Sequence, residues 1–282
     1  MSVLVTGASG QLGRALRPLL PQGRFAGADE LDVTDRSALD ALDWGGVTAV
    51  VNAAAWTSVD AAEDPAHTLA AWDVNVSGVA SLAWHARRLD VPLVHVSTDY
   101  VFSGEHDAPI AVGTALDPRS VYGITKAASE MAARLAPRHY VVRTSWLYGD
   151  GPNFVRTMLR LARQRDEVKV VDDQRGRPTY AVDLAAALVA LLEQAVPPGT
   201  YHATGAGDVA SWADVAALAL DGSGCRVVPV STGDYLAVAP QAAPRPAYSA
   251  LELGPPEVVR APMRDWRTAL AEYLVVERER GA

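Results

Sequence analysis

A glycine-rich turn at residues 7–13 constrains the fold of this chain more than any other feature. Val3-Leu4-Val5-Thr6 is an apolar run of strand length. Thr6-Gly7-Ala8-Ser9-Gly10-Gln11-Leu12-Gly13 leads from it into a helical stretch. A strand that passes through glycines into a helix opens a βαβ unit, whose strands lie parallel in one sheet. The spacing is G-x-x-G-x-x-G, and each glycine has a physical reason. Gly7 allows the tight turn, Gly10 lets the backbone approach a pyrophosphate, and Gly13 allows close helix–strand packing. The pyrophosphate would sit at the helix N-terminus, which makes Gly7, Ser9, Gly10, Gln11 and Leu12 the candidate contacts. A plain structural βα turn is the alternative.

The alternation continues through the first half. Strands are expected at Arg24–Ala28, Ala49–Ala53, Leu93–Ser97 and Tyr140–Thr144. Helices are expected near Ser37–Leu42, at 65–86 through Asn75, and at 122–135. Such alternation predicts an α/β fold with a parallel sheet and right-handed crossovers. Beyond about residue 147 the pattern is less regular. Helices are expected at 153–163, 180–195, 212–220 and 263–279, and irregular chain from Pro229 to Pro246. The division expected is 1–147 and 148–282, with some of the later chain returning to the first sheet.

The bulk numbers exclude several classes. With 282 residues, 49% of them hydrophobic, the chain can bury a large core or share a cleft between two units. A net charge of −8 without a basic stripe argues against nucleic acid as a partner. No apolar run reaches the length of a membrane span, Met1–Val5 lacks a basic leader, and the lone Cys225 forms no internal disulfide. A cytoplasmic protein without membrane partners is expected. The six histidines show no ligand spacing, His95 reads as core, and no metal site is expected.

Val121-Tyr122-Gly123-Ile124-Thr125-Lys126 carries the chemistry. Residues four apart share one helix face, and a cation beside a phenol lowers its pKa, which suits proton transfer near neutral pH. The only lysines in the chain are Lys126 and Lys169 among 25 basic residues, so the coincidence is unlike chance. An exposed helix pair is the bland alternative.

Together these motifs resemble the extended short-chain dehydrogenase/reductases. Within them, Asn52–Glu63, Ser97-Thr98-Asp99-Tyr100-Val101-Phe102, Arg143–Tyr148, Asp172-Asp173-Gln174 with Pro178-Thr179, and Arg245-Pro246 before Tyr248-Ser249 resemble the dTDP-4-dehydrorhamnose reductase family, over about residues 3–270. The resemblance implies a Rossmann-like parallel sheet with helices on both faces and a small C-terminal α/β substrate domain. It implies hydride transfer from NADPH or NADH to the C4 ketone of a dTDP-linked keto sugar. In that scheme Tyr122 protonates the oxygen, Lys126 holds the nicotinamide ribose and depresses the Tyr122 pKa, and Thr98, favoured over Ser97, bonds the carbonyl. Ala53, Ala54, Ala55 and Asn75 flank the cofactor, with Asn75 equally readable as an ordinary buried asparagine. Asp29, expected at the end of the second strand, leans toward NADH, while Arg14 would meet a 2′-phosphate. Asp32 and Val33 would line the adenine pocket. Thr57, Val59, Asp99, Tyr100 and Trp146 would face the sugar, and Arg245 the diphosphate. Arg175 and Arg177 are possible helpers, Asp60 and Glu63 are expected to cap a turn, and Phe102 to be core.

Two departures limit the resemblance. Pro109-Ile110-Ala111-Val112 has valine where relatives carry glutamate, so another sugar, such as that of dihydrostreptose formation, stays open. Ala15 stands where some relatives hold a magnesium at their dimer contact. That metal and that dimer are not carried over, and monomer and homodimer both remain. A non-catalytic cofactor-binding regulator is the reading from another class.

Overall fold

A computed structural model describes residues 2–194, 196–254 and 263–281; Ala195, which the helix expectation at 180–195 reaches, lies outside the described residues. The strands are β1 (Val3–Thr6), β2 (Arg24–Ala26), β3 (Ala49–Asn52), β4 (Leu93–Thr98), β5 (His139–Thr144), β6 (Leu147–Tyr148), β7 (Glu167–Val171), β8 (Arg175–Gly176), β9 (Thr179–Tyr180), β10 (Gly199–His202), β11 (Ala210–Ser211) and β12 (Arg226–Val230). The helices are α1 (Gln11–Leu16), α2 (Arg36–Ala41), α3 (Val59–Ala62), α4 (Pro65–Trp72), α5 (Gly78–Leu89), α6 (Val121–Ala133), α7 (Phe154–Ala162), α8 (Ala181–Glu193), α9 (Trp212–Ala219), α10 (Thr232–Val238) and α11 (Trp266–Gly281). A π-helical turn, Asp73–Ser77, joins α4 to α5.

Six strands form one parallel sheet in the order β10-β5-β4-β3-β1-β2. Its strands are nearly continuous apolar runs because both faces are covered. On one face Val3, Val5, Val51, Val94 and Val142 pack against Leu12 and Leu16 of α1 and Leu184 and Leu188 of α8. On the other, Leu4, Val50, Leu93 and Val141 meet Leu39 of α2, Val79 and Leu82 of α5 and Ala133 of α6. The α/β expectation therefore holds. The strand order reverses between β1 and β3, the switch point where open sheets of this kind bind ligands.

The later chain builds three two-stranded pairs beside the sheet, β6–β9, β8–β11 and β7–β12. Helix α8 and strand β10 return to the main sheet. The segment from Pro229 to Pro246 is more regular than expected. Its first residues pair with β7, and a capping box of Ser231 and Asp234 starts α10. The proline and alanine content masked a helix whose start signal is local.

Leu188 is fully buried between α8 and the sheet. Leu188→Ala is expected to cost about 2–5 kcal/mol, read as a lower denaturant midpoint; an unchanged midpoint would contradict the packing described.

Candidate functional site

The reactive part of the site lies at the carboxyl edge of the main sheet, and residues that follow β6 and β11 complete its wall. The cleft there has a volume of about 740 Å³ and runs from the glycine turn to Trp146 and Trp212. At its β1 end, Gly7 adopts φ +68°, and a Cβ on it would stand 2.5 Å from the Ala53 carbonyl carbon and the Ala54 nitrogen. A Cβ on Gly13 would stand 2.5 Å from Ala8 Cα. Only glycine permits this close approach of turn, helix and β3. Gly10 is the N-cap of α1 and no side chain caps the helix. Gly7, Ser9, Gly10, Gln11, Leu12 and Ala53–Ala55 all line the cleft. This cradle of close backbone, with helix N–H groups facing a roomy cleft, fits the pyrophosphate of a dinucleotide.

At the β4 end stand Thr98, Tyr122 and Lys126. Helix α6 is placed by two caps. Ser120 Oγ accepts from Gly123 N at 3.1 Å, and Glu63 Oε1 accepts from Val121 N at 2.7 Å. A Cβ on Gly123 would lie 2.3 Å from the Tyr100 carbonyl oxygen, so glycine is required for Tyr100 to sit against α6. Tyr100 then meets Tyr122 edge-on, with ring centroids 5.4 Å apart. The buried stripe of α6 is Tyr122, Lys126, Ser129, Glu130 and Ala133, one face at helical spacing.

That stripe is bonded to the sheet. Lys126 Nζ donates to the Val96 carbonyl at 2.8 Å. Ser97 Oγ donates to Glu130 Oε1 at 2.7 Å, and Arg143 clamps both Glu130 oxygens at 2.8 Å. Thr6 Oγ1 donates to Asn52 Oδ1 at 2.6 Å, and Asn52 Nδ2 donates to His95 Nδ1 at 3.1 Å. The Ser129 hydroxyl donates to the Lys126 carbonyl at 2.6 Å and accepts from His95 Nε2 at 2.8 Å. His95 is thus neutral with its proton on Nε2, and burial, then the Lys126 charge, hold its pKa well below the usual value. It is core, as expected, but core that ties three strands to α6.

The ionisation of the site differs from expectation. Burial pushes the Tyr122 phenol above its ordinary range; contact with the Thr98 hydroxyl opposes this and the Asp99 carboxylate adds to it. Lys126 spends its charge on β4 and does not appreciably lower the phenol. Burial brings Lys126 itself down to about 8, against the pull of Glu130. Asp99 is buried, and burial pushes it up to about 6, opposed by hydrogen bonds from Ser249 and Thr98.

Other expected residues divide. Thr57, Val59, Thr98, Asp99, Tyr100 and Trp146 line the cleft. Asp99 has both oxygens engaged, by Thr98 at 3.1 Å and by Ser249. Trp146, at φ +49°, stacks on Trp212 with centroids 3.7 Å apart. Phe102 is core.

Five expectations need correction, and one open reading is resolved. Asp29 is exposed, and the acid at the end of β2 is Glu30, whose Oε2 accepts from Gly27 N at 2.6 Å. Asp32 turns on Thr34, and Val33 packs against Gly78 in the core, because β2 stops at Ala26 and the chain turns away. Asn75, left open between two readings, is a buried brace: it lies outside the cleft lining and from the π-helical turn accepts from Trp56 N at 2.9 Å and donates to Thr125 Oγ1 at 2.9 Å. Arg245 lines a separate cavity of about 370 Å³ with Gln174 and Tyr235, and pairs with Asp60 at 2.9 Å. Asp60 therefore bonds Arg245 and Ala243 rather than its own turn, and Glu63 caps α6. Arg177 is structural, bonded to the Gly207 and Leu251 carbonyls.

Sequence reasoning missed Trp212, Phe154 and Asn153 in the cleft wall. Trp212 was readable only as a tryptophan opening a helix. Among the described residues no group of three or more His, Cys, Asp or Glu can hold a metal. None of their helices is long and apolar enough to cross a membrane.

The chain matches the model of the RmlD substrate binding domain over residues 1–278. It is 43% identical to a dTDP-4-dehydrorhamnose reductase of Streptomyces griseus, covering 95% of this chain and 91% of the relative. It is 42% identical to a dTDP-4-keto-6-deoxy-D-glucose reductase of Streptomyces niveus, covering 95% of each. Its structure resembles that of a dTDP-4-dehydrorhamnose reductase of Bacillus anthracis in complex with NADP. The TM-score is 0.89, with 32% identity, over 98% of this chain and 99% of the other.

With only two lysines, the titration is directly observable. In lysine labelled at Cε, one of two NMR signals is expected to titrate near pH 8; two signals with ordinary lysine pKa values would contradict the burial of Lys126.

Proposed function

The chain belongs to the RmlD substrate binding domain family, that of the dTDP-4-dehydrorhamnose reductases, and on that footing we propose that it reduces the C4 ketone of a dTDP-linked 4-keto-6-deoxy sugar with NADPH or NADH. The observation that carries this reading is the convergence of Thr98, Tyr122 and Lys126 at one end of a cleft whose other end is the glycine cradle. When bound, the nicotinamide supplies a hydride to the ketone carbon.

The residues of the chain do the rest. Gly7, Ser9, Gly10, Gln11 and Leu12 hold the pyrophosphate, and Ala53–Ala55 keep the floor low beside it. Glu30, whose carboxylate turns back onto the end of β2, is the proposed partner of the adenosine ribose in place of Asp29, and Arg14, which lines the cleft, that of a 2′-phosphate. Thr98 and Tyr122 hydrogen-bond the ketone oxygen, and Tyr122 gives up its proton as charge builds there. Its raised pKa keeps the phenol protonated at neutral pH, ready to donate. Lys126, cationic below about pH 8, holds the ribose hydroxyls.

Trp146, backed by Trp212, offers a rigid wall to the apolar face of the sugar. Arg245 lines the smaller cavity, and its charge acts on Tyr100 in the cleft wall. A second reading changes only the sugar. It is favoured by the likeness to the Streptomyces niveus reductase and by Val112, whose carbonyl is pinned by Arg143 at 2.9 Å.

Tyr122→Phe is expected to lower turnover of dTDP-4-dehydrorhamnose about 10²–10⁴-fold while NADPH binding, read by calorimetry, stays near that of the parent. Full activity in the variant would overturn the assignment. A panel of dTDP-ketosugars separates the two readings, since faster turnover of another sugar would displace the rhamnose precursor.

A further inference from the structure

Thr144 ends β5, lines the cleft and is 6% exposed. Its Oγ1 is buried and has no hydrogen-bond partner among the described residues. Leaving a buried hydroxyl unsatisfied is costly, so a site that holds one is short of a ligand group. The neighbouring Ser145 is not in that position, because its hydroxyl already meets the Arg177 carbonyl and Thr204 Oγ1 at 3.0 Å each. Gln11 Oε1 also lacks a partner among the described residues, but it belongs to α1, at the glycine end.

The sheet places Thr144 with respect to the chemistry. It is in direct register with Thr98 of β4. In-register residues of adjacent strands point to the same face, about 4.8 Å apart. Across the sheet the order runs β1, β3, β4, β5. From the glycine turn after β1 to Thr98 is thus two strand spacings, about 10 Å, and β5 is one more. A dinucleotide anchored at Gly10 and supplying hydride to a ketone on Thr98 would lie along this line. Its nicotinamide end would then stand over β4, with β5 and Thr144 as its next neighbour.

We propose that the Thr144 hydroxyl is a cofactor-positioning group that hydrogen-bonds the carboxamide of the nicotinamide ring. The inference rests on the NADPH/NADH reading above. A threonine hydroxyl both donates and accepts, and a carboxamide offers a carbonyl and an NH₂. The bond stops rotation of the ring about its ribose link, which decides the ring face turned to the ketone above Thr98. Thr144 acts on the ring and takes no part in proton transfer.

Thr144→Val removes the hydroxyl and keeps the branched shape; Thr144→Ser keeps the hydroxyl. Calorimetric titration of each with NADPH and with ADP-ribose, which lacks the nicotinamide, tests the proposal. The valine variant is expected to bind NADPH about 3–10-fold more weakly, as loss of one neutral hydrogen bond implies, with ADP-ribose unchanged. The serine variant is expected to match the parent. Parental NADPH affinity in the valine variant would overturn the proposal, as would an equal loss for ADP-ribose. A loss confined to the dTDP-sugar would assign the hydroxyl to the substrate and overturn it too. A parent that binds neither nucleotide would instead sink the proposed function, and this inference with it.

Discussion

The Glu130 carboxylate and the Arg143 guanidinium meet in two hydrogen bonds of 2.8 Å, with both side chains almost wholly out of water. Glu130 is on α6 and Arg143 on β5, so the pair locks the helix to the sheet at one depth and one rotation. Ser97 and the Val112 carbonyl satisfy further donors and acceptors of the same pair. A buried pair is tolerable only when its hydrogen bonds are met in this way. Because Tyr122 and Lys126 lie on the same stripe of α6, their place over the end of β4 depends on that lock.

A second ladder runs parallel to the first. It passes from Thr6 through Asn52 and His95 to Ser129, joining β1, β3 and β4 to α6. An apolar interface of the same size would bury comparable area but would allow α6 to slide. Hydrogen bonds with fixed partners do not. The aromatic wall is held differently, by the stack of Trp146 on Trp212 and by Gly176. A Cβ on Gly176 would stand 2.8 Å from the Trp146 ring. The reactive end of the cleft is therefore positioned by polar contacts and the outer wall by packing.

The parts of the site that were legible before the structure are those whose signal is local. The Gly7–Gly13 turn, the strand alternation and the Tyr122/Lys126 spacing each reside within a dozen residues. What was not legible depends on contacts distant in the chain. Glu30 rather than Asp29 turns its carboxylate back onto the end of β2, which stops two residues early. Glu63 caps α6 from 58 residues away, and Asp60 reaches Arg245 across 185. Trp212 carries no motif at all, and its role comes from the stack it forms.

The sequence alone determined that β1, the glycine turn and α1 form one unit. It also determined that a phenol and an ammonium share one helix face, because backbone sterics and helical period are properties of short segments. Tertiary structure alone decided what that pair is electrically. Burial at the α6–β4 contact raises the phenol, lowers the ammonium to about 8 and turns Nζ to the Val96 carbonyl. Desolvation is set by everything packed around a group, and no spacing of residues encodes it.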